Sequence, residues 1–182
     1  AALPAFGTAR EARARDRGAI ELGLPSQEVV RRPDRTWTIE HHLPLPVEEW
    51  NAHLSLLTGI VAADLMLDAG IGLLRTLPAP SDRTVDRLRR AAPALDVDWP
   101  AGEAPGAVLA GCDPRRTDHA AFLDLAATLL RGAGYHAFEG TPPDDPGHAG
   151  VGAPYAHVTA PIRRLGDRFA TEVCLAVAAG GE

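Results

Sequence analysis

His148-Ala149-Gly150-Val151-Gly152-Ala153-Pro154-Tyr155-Ala156-His157-Val158-Thr159-Ala160-Pro161-Ile162-Arg163-Arg164-Leu165-Gly166-Asp167 is the stretch that decides the reading of this chain. Thr159 is a good N-cap residue and Pro161 suits a first helical turn, so a long helix is predicted to run through to Ala178. Ile162, Leu165, Phe169, Val173 and Val177 recur at helical spacing and are predicted to bury one side of it. That register puts Arg163 and Arg164 in the first turn, facing the positive end of the helix dipole at a cost of ~0.3–1 kcal/mol each. Free backbone N–H groups and guanidinium groups meeting at one point make an anion site, well suited to phosphate. A plainer reading pairs Arg163 with Asp167 and Arg168 with Glu172, both at i,i+4 spacing. On that reading His148 and His157 are packing or loop residues, and Tyr155 is a core residue with a bonded hydroxyl.

Working outward, residues 47–69 form the strongest helical pattern, with Trp50, Leu54, Leu57, Val61 and Leu65 on one face and Gly70 placed to end it. Residues 71–77 read as a strand stopped by Pro78, and Ser81 is placed to cap a helix over 82–92 with Val85 and Leu88 inward. Thr117 or Asp118 caps a further helix over 119–131, closed by Gly132 and Gly134. Alternation predicts a strand in the segment after Gly18, and β-branched and aromatic residues predict another over 36–43. The arginines at 10, 13, 15 and 17, interleaved with Glu11 and Asp16, read as a solvated helix face. Residues 95–116 and 139–150, rich in Pro, Gly and Asp, read as irregular.

Composition narrows the function classes. The chain has 182 residues, 46% of them hydrophobic, about one domain with a real core. Its net charge of −6, with arginine as the only cation besides histidine, argues against indiscriminate polyanion binding but leaves room for a local basic channel. No uninterrupted run of 18 apolar residues occurs, so no membrane span or membrane partner is expected. No secretory signal is visible at the N-terminus, and the chain does not begin with Met, which suggests a piece of something longer. Two distant cysteines, Cys112 and Cys174, make a zinc site or disulfide framework improbable and point to a cytoplasmic setting.

Tyr155-Ala156-His157-Val158-Thr159-Ala160-Pro161-Ile162-Arg163-Arg164 resembles the Tyr-x-His-Phe-Thr-Ser-Pro-Ile-Arg-Arg signature of the ribonuclease II/R family, in its RNB catalytic domain. His148-Ala149-Gly150-Val151 is similar to the family's His-Phe-Gly-Leu, and Asp167 to the aspartate after its paired arginines. Gly72-Leu73-Leu74-Arg75-Thr76-Leu77 resembles its Gly-Leu-Tyr-Arg-Val-His segment, and Gly18-Ala19-Ile20-Glu21-Leu22 its Gly-Ala-Leu strand. The markers run in family order across nearly the whole chain. The resemblance implies an α+β fold, a twisted and mostly antiparallel sheet covered by the helices over 47–69, 119–131 and 161–178. It implies a single domain over 1–182, the C-terminal portion of an RNB domain, and a magnesium-dependent 3′-to-5′ hydrolytic exoribonuclease. The substrate would be single-stranded RNA and the products nucleoside 5′-monophosphates. Arg163 would be the catalytic residue, at the base of a cleft, holding the scissile phosphate. Tyr155, His157, Thr159, Arg164 and His148 would bind substrate, with Arg164 equally suited to a structural pair.

The departures from the pattern are equally definite. The Asp-x-Asp-Asp-Ala string that supplies the family's metal ligands does not occur here, so no metal-ligating residue is assigned and magnesium would be held by ligands outside this chain, on the missing N-terminal part of the RNB domain. Ala160 replaces the usual serine, Leu165 a tyrosine and Thr171 a histidine. In the 47–69 helix one alignment puts Asn51 and Ala52 at the family's two glutamates, while a three-residue slip restores Glu48 and Glu49. Both registers stay open. The alternative function is a non-catalytic, RNA-binding RNB relative, and a chance motif on an unrelated scaffold is the third reading.

Overall fold

The computed structural model describes residues 2–180 and, at position 41, the backbone alone. Helix α1 (Ala2–Asp16) leads by an extended segment to a hairpin of β1 (Ser26–Arg31) and β2 (Trp37–His42). Helix α2 (Pro46–Ala69) follows, then β3 (Ile71–Thr76), α3 (Asp82–Ala91), a short α4 (Pro105–Ala110) and α5 (Thr117–Ala126). The chain closes with β4 (Gly134–Glu139), two-residue strands β5 (Gly147–His148) and β6 (Ala153–Pro154), and α6 (Leu165–Ala178). The fold is α+β, as expected. Its strands are antiparallel but form three separate two-stranded ladders, β1–β2, β3–β4 and β5–β6, in place of one continuous sheet. A parallel bridge from Leu77 to His148 ties the second ladder to the third.

Gly70 sets up the centre of the molecule. At φ 71° it occupies the left-handed region that glycine adopts at least cost, ends α2, and turns the chain straight into β3. Gly72 then lies against the Met66 side chain, whose sulfur accepts the Leu73 N–H at 3.4 Å. Met66 and Leu74 are fully buried in a core shared with Ala62, Ala63, Phe138, Ala156 and Ala170. A second core gathers Ile20, Leu88, Val97 and Leu109 around Phe122, Leu123 and Leu129.

The inward face of α2 differs from the expected one. His53, Gly59, Ala62, Ala63 and Met66 are buried, whereas Leu54 and Val61 are exposed. The helix packs closely on α1, α6 and β3, and small residues allow that approach where leucines would hold the elements apart. By length and composition alone α2 is apolar enough to cross a bilayer; one of its faces packs on α1, α6 and β3. The face of α1 is not wholly solvated either: Gly7, Arg10 and Ala14 are buried, with Gly7 lying against Trp50.

Other boundaries moved for identifiable reasons. The segment after Gly18 alternates as read, with Ile20, Leu22 and Leu24 packed into the second core, but it finds no strand partner and β1 begins at Ser26. The helix expected to reach 131 ends at Ala126 and tightens into a 3-10 turn over Ala127–Leu130. Arg116 is its N-cap residue, with no side-chain cap bond. Strand β4, unrecognised in the sequence, pairs with β3 so that Tyr135 stands opposite Arg75. A short helix, α4, lies within the stretch read as irregular.

The final helix is the main correction. It starts at Leu165, with Arg164 extended at φ −129°, ψ 117° as its N-cap residue. The Asp167 carboxylate reaches back and accepts the Ala160 N–H at 2.7 Å, drawing residues 160–164 into a turn that precedes the helix. Thr159 therefore caps nothing, and Arg163 and Arg164 lie outside the first turn. The expected apolar stripe holds only in its second half, where Val173 packs on the first core and Val177 is partly buried; Ile162 is 98% exposed, Leu165 67% and Phe169 60%, while Asp167 and Ala170 face inward.

Candidate phosphate-binding site

The β3–β4 ladder and the segment after β6 build one cluster. Arg75 N–H donates to the Tyr155 carbonyl at 2.8 Å, and Ala156 N–H donates to the Gly59 carbonyl at 3.0 Å, so residues 155–156 are stitched between β3 and α2. A Cβ at position 59 would strike the Tyr155 ring and the Ala156 carbonyl, which is why α2 carries glycine there. Tyr155 is thereby buried, at 7% exposure. Burial pushes its phenol pKa up.

From Tyr155 a row of rings runs to the surface. His148 meets one side of Tyr155 edge-on at 5.5 Å between ring centres, and His157 meets it at 5.5 Å with planes at 87°. Tyr135, half-exposed, packs against His157 at 5.7 Å and its hydroxyl lies 2.7 Å from His157 Nδ1. The Arg75 guanidinium covers the Tyr135 ring at 4.8 Å. Such edge-to-face pairs contribute roughly 0.5–1.5 kcal/mol each beyond their buried area. Arg75 stood in a family-like motif without an assigned role and Tyr135 in none, because their meeting depends on a ladder that was not predicted.

The adjacent arginines have separate fates. Arg164 is committed: its Nε donates to Asp167 Oδ1 at 2.7 Å and a terminal nitrogen to Oδ2 at 2.9 Å. Arg164 thus makes the structural pair the sequence allowed it, at i,i+3, where the plainer reading had Arg163 at i,i+4. Arg168 donates to the Pro161 carbonyl at 3.2 Å and forms no pair with Glu172. Arg163 is exposed, and its side chain has no hydrogen bond or ion pair among the described residues. Arg163 lines none of the three best-formed cavities among the described residues; one of about 710 Å³ lies between α1, α2 and α4, lined by Arg15, His53 and Cys112. Thr159 is also exposed, its hydroxyl 2.7 Å from that of Ser55 on α2. Both cysteines are free.

Burial dominates the electrostatics of the histidines. Desolvation, reinforced by Arg164, holds the His157 pKa down at about 4 against the opposing pull of Asp167. Desolvation, then Arg75, lowers His148, whose buried Nδ1 has no partner among the described residues. Both rings are therefore neutral near pH 7. A histidine whose folded pKa is depressed binds protons more readily in the unfolded chain, so stability is full above about pH 6.5 and declines toward pH 4. Because His157 is partly solvated, the loss is on the order of 1 kcal/mol, or about 2–4 °C in Tm. Melting curves between pH 7.5 and pH 4.5 check this, and His157→Phe should flatten the slope.

No group of three or more His, Cys, Asp or Glu side chains that could hold a metal ion occurs among the described residues. The residues present do not fit a magnesium site. What they offer is a row of aromatic and imidazole rings under the charges of Arg75 and Arg164, with Arg163 exposed on the turn before α6.

No family model matches the chain, and no curated protein matches its sequence. Solved structures do match. RNase R of Mycoplasma genitalium, in complex with ribose-methylated single-stranded RNA, superposes over 96% of this chain at TM-score 0.76 and 19% identity. Yeast Ssd1, a pseudonuclease, covers 75% at TM-score 0.64 and 18% identity. An active-site mutant of the Dss1 exoribonuclease from Candida glabrata covers 99% at TM-score 0.61 and 16% identity. The chain spans only 28%, 17% and 21% of those proteins. The likeness shows the RNB-domain fold expected from the sequence.

Proposed function

We propose that this chain is the RNA-gripping portion of a cytoplasmic 3′-to-5′ hydrolytic exoribonuclease that acts on single-stranded RNA and releases nucleoside 5′-monophosphates. The observation that carries the reading is the division of labour between Arg163 and Arg164. Asp167 neutralises Arg164 and pins the turn at Ala160, so the next guanidinium stands exposed on an anchored backbone without a counter-charge. An unpaired guanidinium on an anchored backbone is suited to two phosphate oxygens at once. Tyr155 and His157 line the approach, His148 supports Tyr155 from behind, and Thr159 is held by Ser55 at the margin. The magnesium proposed for the reaction would be bound by residues of the remaining RNB domain.

Support comes from the shared fold and from the motif around Arg163, and the test is direct. The complete protein containing these residues is incubated with magnesium and 5′-labelled single-stranded RNA. The expected result is progressive shortening from the 3′ end with nucleoside 5′-monophosphates released. In parallel, binding of this chain to the RNA is titrated across salt, and affinity should fall with rising salt as phosphate contacts are lost. Binding without cleavage selects the non-catalytic RNA-binding relative. Absence of binding at low salt overturns both readings.

A further inference from the structure

We propose that Tyr135 is a positioning residue for His157: its hydroxyl donates to Nδ1 and keeps the imidazole proton on Nε2, so that His157 offers a neutral N–H donor to a phosphate oxygen of a bound RNA strand. The inference rests on the RNA reading above and adds a residue and a protonation geometry to it.

The argument starts with the ladder. Arg75 and Tyr135 are cross-strand partners in β3 and β4, which puts the Arg75 guanidinium over the Tyr135 ring at 4.8 Å. A cation over one ring face restrains the phenol and leaves its hydroxyl to reach across to His157 at 2.7 Å. A neutral imidazole has one donor and one acceptor nitrogen. The phenol is an effective donor to the imine nitrogen, so Nδ1 accepts and the proton resides on Nε2. Nε2 has no partner among the described residues and is not one of their buried, orphaned atoms. It is therefore open to a ligand.

The groups around the ring agree with a neutral donor. Tyr155 and Tyr135 pack against it, Arg164, Arg75 and His148 oppose a further positive charge, and only Asp167, already bonded to Arg164, favours one. The imidazole thus stays uncharged across the neutral range. A neutral donor adds contact geometry without adding a released counterion, unlike the exposed Arg163.

The experiment is nitrogen NMR of the histidine side chains in the full chain at pH 7, wild type against Tyr135→Phe, together with binding of a single-stranded RNA 12-mer. The variant keeps the ring and removes only the hydroxyl, and its melting temperature checks folding. Wild-type His157 should show the Nε2–H tautomer, and Tyr135→Phe should lose that preference. RNA affinity should fall about threefold to tenfold with the salt slope unchanged, the effect of one neutral hydrogen bond. An Nδ1–H tautomer in the wild type, or a tautomer unchanged by Tyr135→Phe, overturns the positioning role and leaves the RNA reading intact. The expected tautomer in a wild-type protein that binds no RNA overturns the ligand assignment together with the function proposed above.

Discussion

Replacing Asp167 with alanine is expected to lower the melting temperature by on the order of 10 °C, the largest effect of any single change near the site. Asp167 is fully buried and accepts three bonds, two from the Arg164 guanidinium and one from Ala160 N–H. Burial alone would raise its pKa. The bonds from Arg164 and Ala160 and the charge of Arg164 outweigh that, and the carboxyl stays below its usual range. Alanine leaves a partly buried guanidinium and a backbone N–H without partners, a loss of about 3–5 kcal/mol for a broken buried pair. Asparagine keeps one acceptor but turns an N–H₂ toward Arg164, so it should fall between alanine and wild type. The sign of the pH effect follows. A carboxylate with a depressed folded pKa contributes stability above the ordinary carboxylate range, and that contribution is lost as pH falls through the folded value. Thermal melts of the two variants at pH 7 decide the matter, and an unchanged Asp167→Ala would show that the pair does not organise the turn.

That pair also explains why the site was only partly legible in the sequence. The helices over α2, α3 and the body of α6 carried strong local signals, a glycine stop at Gly70 and a serine cap at Ser81, and they stand where those signals put them. The start of α6 did not, because Thr159 and Pro161 form a persuasive local start that a tertiary bond overrides. The Asp167 bond to Ala160 N–H is made by the folded turn, and no propensity scale contains it. The inward face of α2 was misjudged for a related reason. Periodicity weighs leucine above glycine and alanine, yet close packing on α1, α6 and β3 selects Gly59, Ala62 and Ala63. Tyr135 was invisible because a six-residue strand with mixed exposure has no clear alternation, so its meeting with Arg75 and His157 appears only once β4 is paired. The family motif, by contrast, is contiguous, and contiguity is what a single sequence shows best.

Substituting Arg163 tests the function with little interference from the fold. The side chain is exposed and bonded to nothing among the described residues, so Arg163→Ala should change stability by no more than about 0.5 kcal/mol. In the complete protein, turnover of single-stranded RNA should nonetheless fall about 10²–10³-fold, the scale associated with removing one preorganised group from a developing negative charge. Affinity for RNA should weaken far less, because many phosphates share the binding and only one is being cleaved. A fall in kcat with little change in KM separates a transition-state contact from uniform binding. Arg163→Lys keeps the charge but loses the planar pair of donors, so it should recover only part of the activity. Arg164→Ala provides the contrast: its guanidinium is tied to Asp167, and its loss should register first in melting temperature and only secondarily in rate. Equal kinetics for Arg163→Ala and wild type would remove this residue from the chemistry. The exposed guanidinium would then have to be read as a simple electrostatic contact to RNA, with a reduced salt slope as its only trace.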